Sequence, residues 1–266
     1  MLLVIDVGNS HTVTGLYEGD RLRGQWRLKS DRAKTDDEIG VHYHSLFSMT
    51  GINTTEVSGV VLASVVPSLE SAWVSCCSKY FFTHLQKKIF VVSADSVKDM
   101  ISIRLANPGE VGADRLVNGI AAFRRFKKPV VVIDFGTAIT FDCVSGSCEY
   151  LGGAILPGIA ISLDALSSRT AKLPHIDISK KPDSAIGKST VEAMTSGIVY
   201  GYGGMIDGVI QRIRKEMTGS DSGEMEVVAT GGMASIIAPA TQSIQHVDPL
   251  LTLEGLKIIF EEKVGS

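Results

Sequence analysis

Two short stretches carry residue types suited to phosphate chemistry. Leu2–Thr14 reads LLVIDVGNSHTVT, and Val130–Thr140 reads VVVIDFGTAIT. In each, an apolar run ends in Ile-Asp-x-Gly and hydroxyl residues follow. Glycine after an apolar strand permits a tight turn whose backbone N–H groups point outward, and such turns form anion-binding concavities. Asn9, Ser10, Thr12 and Thr137 add side-chain donors. Asp6 and Asp134 carry the wrong charge to bind phosphate themselves. Their chemistry is to hold a hard cation, or its water shell, that bridges to phosphate oxygens. The matched pair suggests a triphosphate and its Mg²⁺ clamped by two facing turns. Taken singly, either aspartate would serve equally well as a turn cap. A third apolar strand, in EVVATGGMAS (Glu226–Ser235), ends in Thr230-Gly231-Gly232 and opens a helix. Glycines there let a flat ring approach the backbone, so in third place this turn reads as an adenosine site.

These residues need strands to deliver them, and the chain supplies the same succession twice. The first half predicts a strand at 2–7, then a hairpin from HTVTGLY through Glu18-Gly19-Asp20 to RLRGQWRLKS. A capping-box pattern, Thr35-Asp-Asp-Glu38, opens a helix with Ile39, Tyr43, Leu46 and Phe47 on one face. A strand in VSGVVLASVV, a helix after Pro67 and a strand in KKIFVVS complete it. The second half predicts strands in PVVVIDFG, ITFDCV and YLGGAIL, then helices over 159–172 and 189–217. The strand EVVATGG and a helix near 253–262 close it. Ile5-Asp6-Val7-Gly8 and Ile133-Asp134-Phe135-Gly136 occupy corresponding places. The expectation is a duplicated α/β unit with a cleft between the copies, divided into residues 1–112 and 113–266.

Composition excludes several classes. At 266 residues with 44% hydrophobic and 21% charged side chains, the chain can bury a substantial core. A net charge of −3 leaves no nucleic-acid footprint, and Arg124, Arg125, Lys127 and Lys128 read as the solvated end of a helix. No apolar run is long enough to span a bilayer, and Asp6 interrupts the short one at the start, which lacks a basic segment before it. A cytoplasmic chain with no membrane partner is expected. Cys76, Cys77, Cys143 and Cys148 lack zinc-site spacing and read as buried or incidental thiols. Three look-alike motifs fail. Gly187-Lys188-Ser189 imitates the end of a P-loop, but the loop's first glycine would fall on Pro182. Asp134-Phe135-Gly136 lacks the catalytic loop of a protein kinase, and the glycines of GYGGMIDG (201–208) suit close helix packing. His42 and His44 would point to different helix faces, which disfavours a metal site.

The order DxGNSxT, DFGT, TGG resembles the nucleotide-binding set of the actin, sugar kinase and heat-shock chaperone superfamily. Further strings narrow it: NPGEVGADRLVN (107–118), YLGGAILPG (150–158), RTAKLP (169–174) and IGKSTVEAMTSGIVYG (186–201). With DVGNS at the start, these resemble type III pantothenate kinase in the family's order, over about residues 1–232. The resemblance implies duplicated actin-like (ribonuclease H-like) domains with ATP in the cleft between them. It also implies phosphorylation of pantothenate to 4′-phosphopantothenate, which opens coenzyme A synthesis.

Residue roles follow from the same resemblance. Asp6, Val7, Gly8, Asn9, Ser10, His11, Thr12 and Val13 match the first ATP phosphate loop, and Thr137 the second. Asp134 matches the position that holds a monovalent cation, K⁺ or NH₄⁺, beside Mg²⁺-ATP. Asp114 matches the general base, and Gly112, Ala113, Asp114 and Arg115 line the substrate. A carboxylate in hydrogen-bond reach of a primary alcohol takes its proton as the bond to phosphorus forms, and Arg115 would hold that base ionised or bind substrate. Without the resemblance, Asp-Arg would read as a solvated ion pair at a helix start. Thr190 matches a pantothenate contact reached from the partner subunit of a homodimer. Leu105 stands where the family usually has tyrosine, which bears on substrate affinity but not on reaction type; Ser10 replaces a common threonine and keeps the hydroxyl. The rival readings are another small-molecule kinase of the superfamily, or a non-catalytic regulatory paralogue that keeps the fold.

Overall fold

Strand β1 (Leu2–Val7) is an unbroken apolar run up to Asp6 because it lies inside a sheet covered on both faces. Leu3, Val4, Ile5 and Val7 are fully buried. In the structure, a computed structural model describing residues 1–81 and 88–265, β1 pairs antiparallel with β2 (His11–Glu18) and parallel with β4 (Gly59–Ser64). β3 (Arg21–Lys29) forms the predicted hairpin with β2, turning through Gly19 at φ 58°, which suits glycine. β5 (Lys88–Val91) completes the order β3-β2-β1-β4-β5. Of the expected strand KKIFVVS, Lys87 lies outside the described residues.

Helices α1 (Asp36–Met49) and α2 (Pro67–Cys76) cover one face of this sheet's core. The capping box predicted for α1 is present: Glu38 N–H donates to Thr35 Oγ1 at 3.3 Å, and Thr35 N–H to Glu38 Oε2 at 2.8 Å. Tyr43 stacks edge-on against Trp73 with ring centroids 4.7 Å apart, and its buried hydroxyl accepts a 3.2 Å bond from Thr14 Oγ1. Both Cys76 and Cys77 are buried, and burial pushes the Cys76 thiol up to about 12, so these are inert core thiols.

The chain continues through β6 (Ser102–Ile103) and α3 (Ala113–Phe126), then β7 (Val130–Phe135), β8 (Ala138–Val144) and β9 (Glu149–Pro157). α4 (Ile159–Arg169), α5 (Thr190–Thr218), β10 (Glu226–Gly231), α6 (Ala234–Ile237), β11 (His246–Val247) and α7 (Leu251–Lys263) follow. By their contacts, Met1–Ala121 with Thr252–Ser266 form one compact unit and Ala122–Leu251 another. This division runs through α3 and returns α7 to the first unit. The sequence boundary at 112/113 concerns the repeat and is a different quantity.

Within the second unit the strand order is β11-β10-β7-β8-β9. β7 repeats the role of β1: Val130–Ile133 are fully buried, with β8 antiparallel on one side and β10 parallel on the other. α5 packs Ile198, Val199, Tyr202, Ile206 and Ile210 into this core at helical spacing. Gly203 admits the carbonyl of Ala240, since a Cβ would stand 2.4 Å from that oxygen. This is the close packing expected of GYGGMIDG.

The GKS string is a helix start. Ser189 caps α5 by accepting from Glu192 N–H at 3.2 Å, and a Cβ on Gly187 would meet Ala193 N at 2.3 Å. Ser189→Ala is expected to cost about 1 kcal/mol in urea unfolding; a cost near zero would show that the cap is not used.

Candidate active site

In the first unit, the end of β1 and the start of β2 are joined by a closed turn. Gly8 N–H donates to His11 O at 3.0 Å, and a Cβ on Gly8 would crowd that same oxygen, also at 3.0 Å. Asn9, Ser10 and His11 form the turn, with Asn9 and His11 exposed. Its position is fixed from both sides. Ser30 N–H donates to Ser10 O at 3.0 Å, and buried Thr12 shares a 3.0 Å hydrogen bond between its hydroxyl and that of Ser30. Val13 pairs with Asp6 across the hairpin, so the Asp6 side chain shares Val13's face of the sheet. Thr12 and Thr14 point to the opposite, core-side face. Thr12 is therefore a hidden support of the turn.

Asp114 stands in the first turn of α3 and is partly exposed. Gly112 precedes the helix, its carbonyl accepting from Arg115 and Leu116 N–H at 3.1 and 3.2 Å. A Cβ on Gly112 would lie 2.4 Å from Asp114 Oδ1 and 3.4 Å from Val65 Cγ1. Only glycine lets the carboxylate fold back this far. Val65 N–H donates to Val7 O at 3.1 Å, which ties the Asp114 turn to the end of β1. Asp114 Oδ1 accepts from Arg115 N–H at 2.8 Å. Burial raises the Asp114 pKa above the usual carboxylate value, and it outweighs the opposing Arg115 N–H bond and Arg115 charge. A carboxylate so shifted is a better proton acceptor near neutral pH than an ordinary one.

In the second unit, Asp134 and Thr137 bracket the β7–β8 turn. Gly136 N–H donates to Ala138 O at 3.1 Å, leaving Thr137 exposed. Two glycines shape this turn. Gly231, at φ 89°, passes so close that a Cβ would be 2.5 Å from Asp134 Oδ1. Gly158, after β9, would put a Cβ 2.1 Å from Thr137 O. Strand pairing then sets Asp134 between Thr230 of β10 and Thr140 of β8. Thr140 in turn donates to fully buried Asp142 at 2.9 Å, which also accepts from Tyr150 Oη at 2.8 Å. Among the described residues no three His, Cys, Asp or Glu side chains converge on a metal site. One carboxylate flanked by hydroxyls suits a weakly held monovalent ion, or a hydrated Mg²⁺ that phosphate oxygens also ligate. Thr190, the first residue of α5, is exposed on a different element from this turn.

A hidden signal existed for the missed groups. Thr140 and Asp142 alternate with the core residues Ile139, Phe141 and Cys143, so a polar face on β8 was readable from period two. The roles of Gly158 and Gly231 depend on which strands become neighbours.

The chain matches known proteins over its whole length. The family model of type III pantothenate kinase covers residues 2–212. A type III pantothenate kinase of Desulfotalea psychrophila is 55% identical over 259 residues, 97% of each chain. The chain belongs to the type III pantothenate kinase family. Among solved structures, a candidate 2-dehydro-3-deoxygalactonokinase of Sinorhizobium meliloti covers all of both chains with a TM-score of 0.61 at 11% identity. MreB 5 of Spiroplasma citri, bound to AMPPNP, covers 99% of this chain and 96% of its own with a TM-score of 0.58, also at 11% identity. These likenesses show the fold, a duplicated actin-like one, as expected. Members of the type III pantothenate kinase family are enzymes, and this chain is a kinase.

Proposed function

We propose that this kinase transfers the γ-phosphoryl group of ATP to the primary hydroxyl of pantothenate, the first step of coenzyme A synthesis. Asp114 takes the hydroxyl proton as the alcohol oxygen bonds to phosphorus. The bond from that phosphorus to the bridging oxygen breaks, and ADP leaves with the electron pair. The observation that carries the assignment of the base is the Asp114 carboxylate, folded over Gly112 and raised in pKa by burial. Gly112, Ala113 and Arg115 bound the alcohol's side, with Thr190 of a partner subunit reaching the pantothenate in a homodimer. Asp6 to Val13 and Thr137 face the phosphates. Mg²⁺ accompanies ATP, and Asp134 holds K⁺ or NH₄⁺, an assignment supported by its hydroxyl neighbours Thr140 and Thr230. The repeated strand-Asp-x-Gly pattern supports two actin-like domains, residues 1–112 and 113–266. No helix among the described residues is long and apolar enough to cross a membrane, and a cytoplasmic enzyme fits this.

The test is ADP release from Mg²⁺-ATP, with and without pantothenate and with and without K⁺. Pantothenate-dependent release that rises with K⁺ is expected in the parent, and Asp134→Asn is expected to lose the K⁺ response. Release indifferent to pantothenate would remove the acceptor assignment, and a K⁺ response retained in Asp134→Asn would remove the cation assignment.

A further inference from the structure

Beside the Gly8–His11 turn lies an open depression of about 530 Å³, lined by Asn9, Ser10, His11, Arg27, Lys29 and Ser30. Three of these six are the basic side chains His11, Arg27 and Lys29. None is acidic. The register explains the grouping: His11 pairs with Lys29 and Val13 with Arg27, so both cations project from β3 on the face that carries His11. That is also the face of Asp6, which pairs with Val13. Arg32 adds a fourth basic group at the rim, donating to Asn9 Oδ1 at 2.9 Å.

Edge strands often carry exposed basic residues merely to discourage pairing with other sheets. The rest of β3 behaves in that way. Arg23, further along the strand, forms an ion pair with Glu18. Arg27 and Lys29 have no carboxylate partner among the described residues, and unlike Arg21 they line the depression beside the turn. Arg27 instead points a guanidinium nitrogen at His11 Nδ1, 3.1 Å away. Partial desolvation first, then the charges of Arg27 and Lys29, hold the His11 pKa below its ordinary value, and Nδ1 accepts from Arg27. Cations gathered beside a tight turn without a counter-ion form a preorganised anion site.

We infer that Arg27 and Lys29 are phosphate-positioning residues, holding the terminal phosphates of a nucleoside triphosphate against the Gly8–His11 turn. This rests on the kinase reading above and extends it to a strand outside the phosphate loop. Asp6 keeps the cation side of the metal–triphosphate and the β3 cations take the anion side. His11 reports occupancy: an anion beside Arg27 and Lys29 offsets their charge, and the imidazole pKa rises.

Proton NMR of His11 across a pH series tests this, using the full chain with MgATP and, in a separate arm, inorganic tripolyphosphate. The expected result is an upward shift of the His11 pKa with MgATP. In Arg27→Gln/Lys29→Gln that shift is lost, and the KM for ATP rises about 10- to 100-fold, as for lost charge-assisted hydrogen bonds. Arg21→Gln, on the same strand away from the depression, controls for strand integrity and leaves both readouts unchanged. An unmoved His11 at saturating MgATP, or an ATP KM in the double variant equal to that of Arg21→Gln, overturns the inference. A shift with tripolyphosphate and none with MgATP also overturns it, by making the site one for free polyphosphate. Failure of the pantothenate reading is distinct: turnover without pantothenate dependence, while MgATP still shifts His11.

Discussion

Asp114→Asn is expected to lower pantothenate-dependent turnover by about 10²–10⁴-fold, the usual worth of a positioned general base. The fold should not suffer. The Asp114 pKa is raised in the folded chain by burial, so its ionised form is less favourable there than in the unfolded chain. Stability from this group is fully present below the unfolded value, 3.8, and is lost as pH rises through the folded value. At neutral pH the aspartate is therefore a net cost, and asparagine removes the charge while still accepting from Arg115 N–H. The expected pair of results is a near-silent enzyme with a thermal midpoint equal to or above the parent's and intact ATP binding. The acid limb of kcat/KM in the parent should lie above the ordinary aspartate range for the same reason. Turnover within tenfold of the parent would remove Asp114 as the base.

The second large effect is expected from a residue that carries no functional group. Gly231→Ala places a methyl 2.5 Å from Asp134 Oδ1 and 2.7 Å from the Phe135 backbone, at a φ of 89° that side chains rarely adopt. The left-handed backbone costs about 1–2 kcal/mol and overpacking about 1–3 more. Against a total stability of roughly 5–15 kcal/mol, this is a large fraction. Relief requires moving Asp134 or the strand ends, so K⁺-stimulated activity should fall together with the urea midpoint. Gly197→Ala provides the contrast: nothing lies within 4 Å of its Cβ position, two turns into α5. Alanine there should be neutral or stabilising by up to about 1 kcal/mol. A Gly231→Ala protein as stable and active as the parent would show that the carboxylate is not held beneath that glycine.

Much of this was legible in the sequence because local physics decided it. The unbroken apolar runs at β1 and β7 announced strands buried on both faces, and Thr35 with Glu38 announced α1. The Asp-Gly turns were visible as abrupt changes from apolar to polar. What stayed hidden depends on neighbours distant along the chain. Nothing near Gly231 says that it will cross Asp134, because that requires β10 to pair parallel with β7. In the sequence, Arg27 and Lys29 are two of several charges on a hairpin. Only the register with Val13 and His11 sets them around the Gly8 turn. The contact partners of α7 were equally unreadable, since its apolar face suits any core.

Those partners also set an order of maturation. Leu253 reaches Gly15 on β2, Phe260 fills the space over Gly59 on β4, and Thr252 Oγ1 donates to Asn118 of α3 at 2.7 Å. Gly255 lets α7 lie directly on Val117 and Ala121. The first strands to leave a ribosome thus wait for a helix made after the entire second unit. Domains commonly fold in the order of their synthesis. Here the second unit has all its residues first, while the β1–β2 sheet that carries the Gly8–His11 turn keeps an apolar face uncovered until α7 emerges. Such long-range closure slows folding. The nascent chain therefore passes through a window in which its first unit is the part in need of protection.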